Sequence, residues 1–233
     1  VLNHSKKFTL TYINEHQDEL DWDPAVESTI IQKRLPVFSI LKTSFPILRR
    51  TLYEKGNYFQ QAENTNIVNL FLDHYAQLYY LSDLTEIVED GDSFIMVCND
   101  TTHMPSILQT PEFEPRSNIT NTTTLLDGID GIQGDDRSHY HSNAASLKRL
   151  GLYFDYLREQ GVYDNTRIII VADHGAALYS DGMSMFSNDR EYNSFVPLFL
   201  VKDFNATGPV RTDDTFMTNA DAPLFAIKDV IEE

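Results

Sequence analysis

An aspartate and a histidine, Asp173 and His174, stand side by side at the end of a short apolar run. The run, residues 168–171, holds four consecutive β-branched residues, and Gly175 follows the pair. Such a run between polar residues is typical of a strand that is buried on both faces within a parallel sheet. Ligands of open α/β sheets bind at the carboxyl ends of the strands. A carboxylate and an imidazole at that position offer one oxygen and one nitrogen to a divalent metal ion.

A purely structural interpretation of this pair is also open. Asp173 can cap a following helix or turn, and His174 can be an ordinary polar residue of a loop. The elements that would position the two side chains bear on the choice between these interpretations.

Residues 142–160 predict an amphipathic helix directly before this strand, and Gly161 is expected to end it. The apolar side chains of this helix recur at spacings of three and four, at Ala144, Leu147, Leu150, Phe154 and Leu157. A second apolar run, residues 93–98, precedes polar residues that include His103 and predicts another strand. Strand, helix and strand in this order form a βαβ unit. Both polar ends would then lie at one edge of a parallel sheet.

The rest of the chain is predicted to be largely helical. Residues 1–65 form a helical lead-in of unassigned organisation, and Pro36 and Pro46 are expected to interrupt it. Residues 66–88 carry aromatic and leucine side chains at helical spacing, which predicts a helix that packs into the core. A length of 233 residues, of which 42% are hydrophobic, favours one domain with one core.

The composition limits the classes of partner. The net charge of −17 argues against nucleic-acid binding, which requires a basic surface. An anionic substrate would need a cation to screen the site, which favours the metal interpretation, although an acidic surface also serves solubility. The one cysteine, Cys98, excludes an internal disulfide and is expected to be a small core residue. No apolar run approaches the roughly 20 residues that span a bilayer.

Several motifs together carry a family resemblance. They are Tyr-His-Ser-Asn-Ala at 140–144, the segment 152–166 that ends in Gly-Val-Tyr-Asp-Asn-Thr, and Ile-Ile-Ile-Val-Ala-Asp-His-Gly at 168–175. They resemble the carboxyl-terminal portion of a sulfatase-like domain of the alkaline phosphatase superfamily, of the lipoteichoic acid synthase and phosphoethanolamine transferase type. Residues 102–105 are similar to the Thr/Ser-His-x-Pro loop of these enzymes, and residues 195–201 to a strand with a Val-Pro pair.

The resemblance covers residues 90–225, the recognisable core of what would be a single partial domain over residues 1–233. It implies an α/β fold with three α/β/α layers and a mainly parallel central sheet. It also implies a membrane-anchored parent enzyme, with this domain on the extracellular side, that cleaves or transfers phosphate or sulfate esters.

The resemblance assigns roles to three residues, and a fourth, His141, is a candidate because of its position just before the predicted helix. Asp173 and His174 would hold one divalent metal ion, which is zinc, manganese or calcium depending on the branch of the superfamily. His103 would bind the anionic group of the substrate, and His141 could reach the same site. For both of these histidines a structural role, such as a hydrogen bond to the backbone, is the alternative.

The sequence departs from the family pattern at the nucleophile. Residues 99–102 after Cys98 do not form the family's Cys-x-Pro/Ser-x-Arg motif, and neither Thr43 nor Thr51 follows an apolar strand. We therefore expect the nucleophile upstream of Val1, and we expect the 233 residues to be an inactive fragment. The alternative is a degenerate, non-catalytic domain that binds a polyanion or a partner protein.

Overall fold

A computed structural model describes residues 2–21, 24–53, 67–89, 91–103, 107–119, 134–176 and 194–228. Its helices are α1 (Leu2–Glu15), α2 (Gln17–Leu20), α3 (Pro24–Thr43), α4 (Pro46–Tyr53), α5 (Ile67–Tyr79), α6 (Gly134–Glu159) and α7 (Ala222–Ile227). Its strands are β1 (Leu108–Gln109), β2 (Glu114–Pro115), β3 (Ile168–Val171) and β4 (Phe199–Lys202). A short 3-10 helix, Asn219–Asp221, leads into α7.

The main core lies between α1, α5, β1 and the first half of α6. The predicted core-packing helix is confirmed, because α5 buries Leu72, Tyr75 and Ala76 completely. Tyr12 of α1 packs edge-on against Tyr75, with ring centroids 5.5 Å apart. Burying such apolar and aromatic surface is the dominant stabilising contribution to this part of the fold.

Helix α6 is confirmed as a helix, and Gly161 ends it as predicted, with a φ of +73°. The predicted apolar stripe is buried only in part, since Leu157 is buried and Leu147 is half exposed, while Ser142 and Ala145 outside the stripe are buried. Small residues let the first half of α6 approach α5 and β1 closely. Periodicity therefore located the helix but did not determine which of its residues are buried.

The strand at Ile168–Val171 is confirmed, but its predicted surroundings are not found. In the described residues β3 pairs antiparallel with β4, in the register Ile168 with Lys202 and Val171 with Phe199. Val171 is exposed, so β3 is not buried on both faces. Residues 93–98 form no helix, turn or bend and join no sheet in the described part, contrary to the predicted second strand. A short apolar run does not determine whether the neighbouring strand runs parallel or antiparallel to it. The parallel three-layer fold stays a prediction.

A buried arginine fastens β3 to β4 and α7. The guanidinium of Arg167, whose side chain is only 6% exposed, donates from Nε to Asp203 Oδ1 at 2.9 Å. Its Nη1 donates to the carbonyl oxygens of Phe225, at 2.9 Å, and of Lys228. The Phe204 backbone N–H and then this arginine hold the pKa of the Asp203 carboxyl below its usual range. The start of β3, the end of β4 and α7 are thus joined through one side chain.

The described part of the lead-in, residues 2–21 and 24–53, is largely helical as predicted, but Pro36 does not interrupt it. Helix α3 continues through Pro36 to Thr43, and α4 begins at Pro46, which therefore does mark a boundary. Proline lacks an N–H group and removes one helical hydrogen bond, a loss that an exposed helix tolerates better than a buried one. None of the helices in the described ranges is long and apolar enough to cross a membrane.

Candidate functional site

Asp173 and His174 lie in the bend directly after β3, two residues beyond the last paired residue of the strand. Both side chains are open to solvent, with 89% of the aspartate and 66% of the histidine side chain exposed. The ladder continues past the strand, since the Ala172 N–H donates to the Leu198 carbonyl at 3.0 Å. Strand β3 therefore delivers both groups to one accessible point, as the sequence predicted.

The imidazole of His174 has a defined orientation. Its Nδ1 lies 2.7 Å from the Gly175 carbonyl oxygen. A carbonyl oxygen only accepts hydrogen bonds, so Nδ1 must carry the proton and donate it. In the neutral ring the lone pair is then on Nε2, which lies 3.7 Å from Asp173 Oδ2. That distance is too long for a hydrogen bond, so the two atoms are neighbours without being bonded to each other.

A third residue, which the sequence did not suggest, holds the backbone of this bend. The side-chain amide of Asn219 donates from Nδ2 to the Asp173 carbonyl oxygen at 2.7 Å. Asn219 opens the 3-10 helix before α7, and Thr218 and Asp221 form a capping box around that helix. The only sequence signal near it is this Thr-x-x-Asp capping pattern, which predicts a helix start and says nothing about a contact with β3.

The arrangement fits two ligands of one metal ion. Two ligands of a tetrahedral zinc ion, each about 2.0–2.2 Å from the metal, lie about 3.4 Å apart. The observed 3.7 Å between His174 Nε2 and Asp173 Oδ2 is close to that value. A ring nitrogen that donates to a carbonyl is also the usual outer-shell arrangement of a metal-binding histidine. The described residues contain no group of three or more His, Cys, Asp or Glu side chains that could hold a metal.

The loop that contains His103 is anchored to helix α5. The side-chain amide of Asn99 donates to the His74 carbonyl at 2.8 Å and accepts from the Thr101 N–H at 3.0 Å. Asp100 Oδ2 lies 3.6 Å from His74 Nε2, and the His103 N–H donates to the Asp100 carbonyl. His103 itself is exposed, in keeping with a ligand-facing position. Its approach to Asp173 in a shared site remains a prediction.

His141 is buried, whereas a residue that contacts substrate in an open site would be exposed. The residue is 1% exposed, and its ring packs on Phe113 with centroids 5.6 Å apart. Burial, and secondly the charge of Arg137, lower the pKa of His141 and keep the imidazole neutral. The described contacts fit the structural role that the sequence left open, and substrate binding by His141 remains a prediction.

Known proteins offer no assignment for this site. No protein-family model, no curated protein and no solved structure matches the chain. Membership of a family is therefore not shown, and the resemblance to sulfatase-like domains stays a prediction.

Proposed function

We propose that this chain is part of a metal-dependent enzyme that hydrolyses or transfers phosphate or sulfate esters at the outer cell surface. Asp173 and His174 supply two ligands of a divalent ion, which is zinc, manganese or calcium. His103 binds the anionic group of the substrate. The nucleophile lies outside the 233 residues, because Cys98 lacks the motif of sulfatase-like enzymes and neither Thr43 nor Thr51 follows an apolar strand.

One observation carries the proposal. At the end of β3, the His174 ring is fixed with its Nε2 lone pair 3.7 Å from a carboxylate oxygen of Asp173, and both groups are open to solvent. Asp173 Oδ1 accepts the His174 backbone N–H at 3.0 Å, which holds the two side chains next to each other. An exposed pair at ligand spacing, with Nδ1 of the ring already engaged, offers one nitrogen and one oxygen to the same cation, which supports the proposal.

The electrostatics of the chain support a cation at this point. With a net charge of −17, the protein repels a phosphate or sulfate ester unless positive charge is present at the binding site. A bound divalent ion neutralises the ester and stabilises the charge that develops in its transition state. The task of the chain's own residues is to bind and orient: Asp173 and His174 hold the site, and His103 contacts the non-bridging oxygens.

Calorimetric titration of zinc, manganese and calcium into the 233-residue chain tests the proposal. Because two protein ligands make an open site completed by water, we expect binding weaker than about 1 μM. Binding should be lost in Asp173→Ala and in His174→Ala. It should be unchanged in Asp214→Ala, which removes an exposed carboxylate elsewhere.

Two outcomes would contradict the proposal. Equal metal binding by Asp173→Ala and Asp214→Ala would remove the assigned ligands. Turnover of simple phosphate or sulfate esters by the chain alone, abolished by Asp173→Ala, would show that the nucleophile lies within these residues. Binding of a polyanion that needs neither metal nor Asp173 would favour the non-catalytic alternative.

A further inference from the structure

A run of large apolar side chains lies open to solvent in residues 93–98, far from the candidate metal site in sequence. Phe94, Ile95, Met96 and Val97 are 75%, 66%, 76% and 50% exposed. Single exposed apolar residues are ordinary on a protein surface, but four in succession mark an interaction site. We propose that residues 93–98 are a docking edge for an extended peptide strand with a basic residue beyond each of its ends.

The backbone of this run is available for strand pairing. It forms no helix, turn or bend, and among the described residues it makes no backbone hydrogen bond from 92 to 98. Phenylalanine, isoleucine and valine are also strand-forming residues. An added strand gains main-chain hydrogen bonds to such an edge, while alternate side chains of the edge contact it from the two faces.

One end of the run is held in place before any partner binds. Directly after Cys98, the Asn99 side chain donates to the His74 carbonyl of helix α5 and accepts from the Thr101 N–H within the loop. Thr101 is completely buried, so this anchor does not move freely. An edge fixed at one end loses less conformational entropy when a strand docks on it.

The carboxylates on both sides of the run favour one kind of binding partner. Exposed carboxylates stand on both sides of it, at Glu89 and Asp92 before it and at Asp100 after it. Antiparallel pairing with a second copy, centred on Met96, would set Asp92 against Asp100 of that copy, and parallel pairing would set each carboxylate against itself. Like charges opposite each other destabilise a strand pair, so self-association is disfavoured. A strand with Lys or Arg beyond both ends meets these carboxylates favourably.

The spacing of the acidic residues defines the probe. Asp92 and Asp100 are eight residues apart, which is about 26 Å in an extended strand. A nine-residue peptide of alternating valine and threonine with lysine at each end places its charges at the same separation. Its matched control has glutamate in place of each lysine. A third peptide, with proline at two central positions, lacks donors for the ladder.

Cys98 gives a direct readout, because it is the only cysteine and lies at the end of the run, where it is exposed and is not the core residue that the sequence predicted. We expect the lysine-flanked peptide to slow alkylation of the Cys98 thiol in the full chain and to bind about tenfold more tightly than the glutamate-flanked peptide. The proline peptide should not protect the thiol. The alkylation experiment involves no metal, so a negative result in it would not contradict the proposed function. Likewise, a finding that Asp173 does not bind metal would not contradict this inference.

Variants separate docking from nonspecific adhesion. Ile95→Pro removes an N–H from the edge, and it should abolish protection while Ile95→Val retains it. Asp92→Lys should reverse the preference between the two charged peptides. Equal protection by both charged peptides, or none by either at millimolar concentration, would overturn the proposal. Dimerisation of the chain that is lost in Ile95→Pro would also overturn it, in favour of a second copy as the occupant.

Discussion

The contact between Asn219 and the bend after β3 predicts that a residue without metal-binding chemistry controls metal affinity. Asn219 Nδ2 donates to the Asp173 carbonyl oxygen at 2.7 Å, across 46 residues of sequence. Replacing Asn219 by leucine keeps the approximate shape of the side chain and removes the donor. The bend that carries Asp173 and His174 then loses the hydrogen bond that joins it to the segment before α7.

The expected loss of metal affinity follows from the order that the Asn219 hydrogen bond gives to the backbone of the bend. Fixing the backbone of one residue costs about 1–2 kcal/mol, and a metal ion that binds a loosened bend must supply that ordering itself. A loss of 1.4 kcal/mol corresponds to a tenfold change in affinity, so Asn219→Leu should weaken zinc binding by about tenfold. Loss of outer-shell partners in metal sites generally costs about 10- to 100-fold in affinity. The free energy of unfolding should fall by only about 1 kcal/mol, as for one neutral hydrogen bond.

Calorimetric titration of zinc into the wild type, Asn219→Leu and Asn118→Leu measures the effect. Asn118 is exposed in the bend after β2, so its replacement reproduces the change in surface polarity without touching this contact. Equal zinc affinity for all three proteins would refute the reasoning that Asn219 orders the bend. A large drop in thermal stability of Asn219→Leu would instead show that the contact serves the fold as a whole.

Two further predictions concern stability. Since burial lowers the pKa of His141, the unfolded chain binds that proton at higher pH than the folded chain. The free energy of unfolding should therefore fall as the pH drops below about 6.5, with a slope of at most about 1.4 kcal/mol per unit. Urea titrations should show a flatter pH dependence for His141→Gln, and parallel curves would contradict this. Replacing Arg167 by methionine should cost about 2 kcal/mol, because charged hydrogen bonds to Asp203 and to two carbonyls disappear. Arg167→Lys should recover only part of that loss in the same urea assay, and full recovery would argue against the forked contact.

Local patterns predicted the elements that carry the candidate site. Four β-branched residues before a polar pair indicated β3, and the structure confirms the strand, with Asp173 and His174 following it. The end of α6 before Gly161 also followed from periodicity and a stop residue, but the helix begins at Gly134, eight residues before the predicted start. These features depend on residues within a few positions of each other, which is the range over which sequence patterns are informative.

Tertiary relationships were not predictable in the same way. The antiparallel pairing of β3 with β4 joins residues about 30 positions apart, and an apolar run fits either direction of pairing. The buried face of α6 depends on which elements pack there. Helix α5 and strand β1 contact α6, and small residues such as Ala145 are buried. Asn219 reaches the bend from a distant helix start, and no spacing rule links an asparagine to a carbonyl 46 residues away.

The exposed apolar surfaces connect the docking proposal to the fold that the sequence predicted. The three elements of the expected βαβ unit each leave apolar side chains open to solvent: Ile95 in the first run, Leu147 in α6 and Val171 in β3. A central sheet of the α/β/α kind would bury such groups between its layers. A strand that pairs with residues 93–98 would convert that run from an isolated segment into part of a sheet. His103, five residues beyond Cys98, would then follow the end of a paired strand as Asp173 and His174 follow β3.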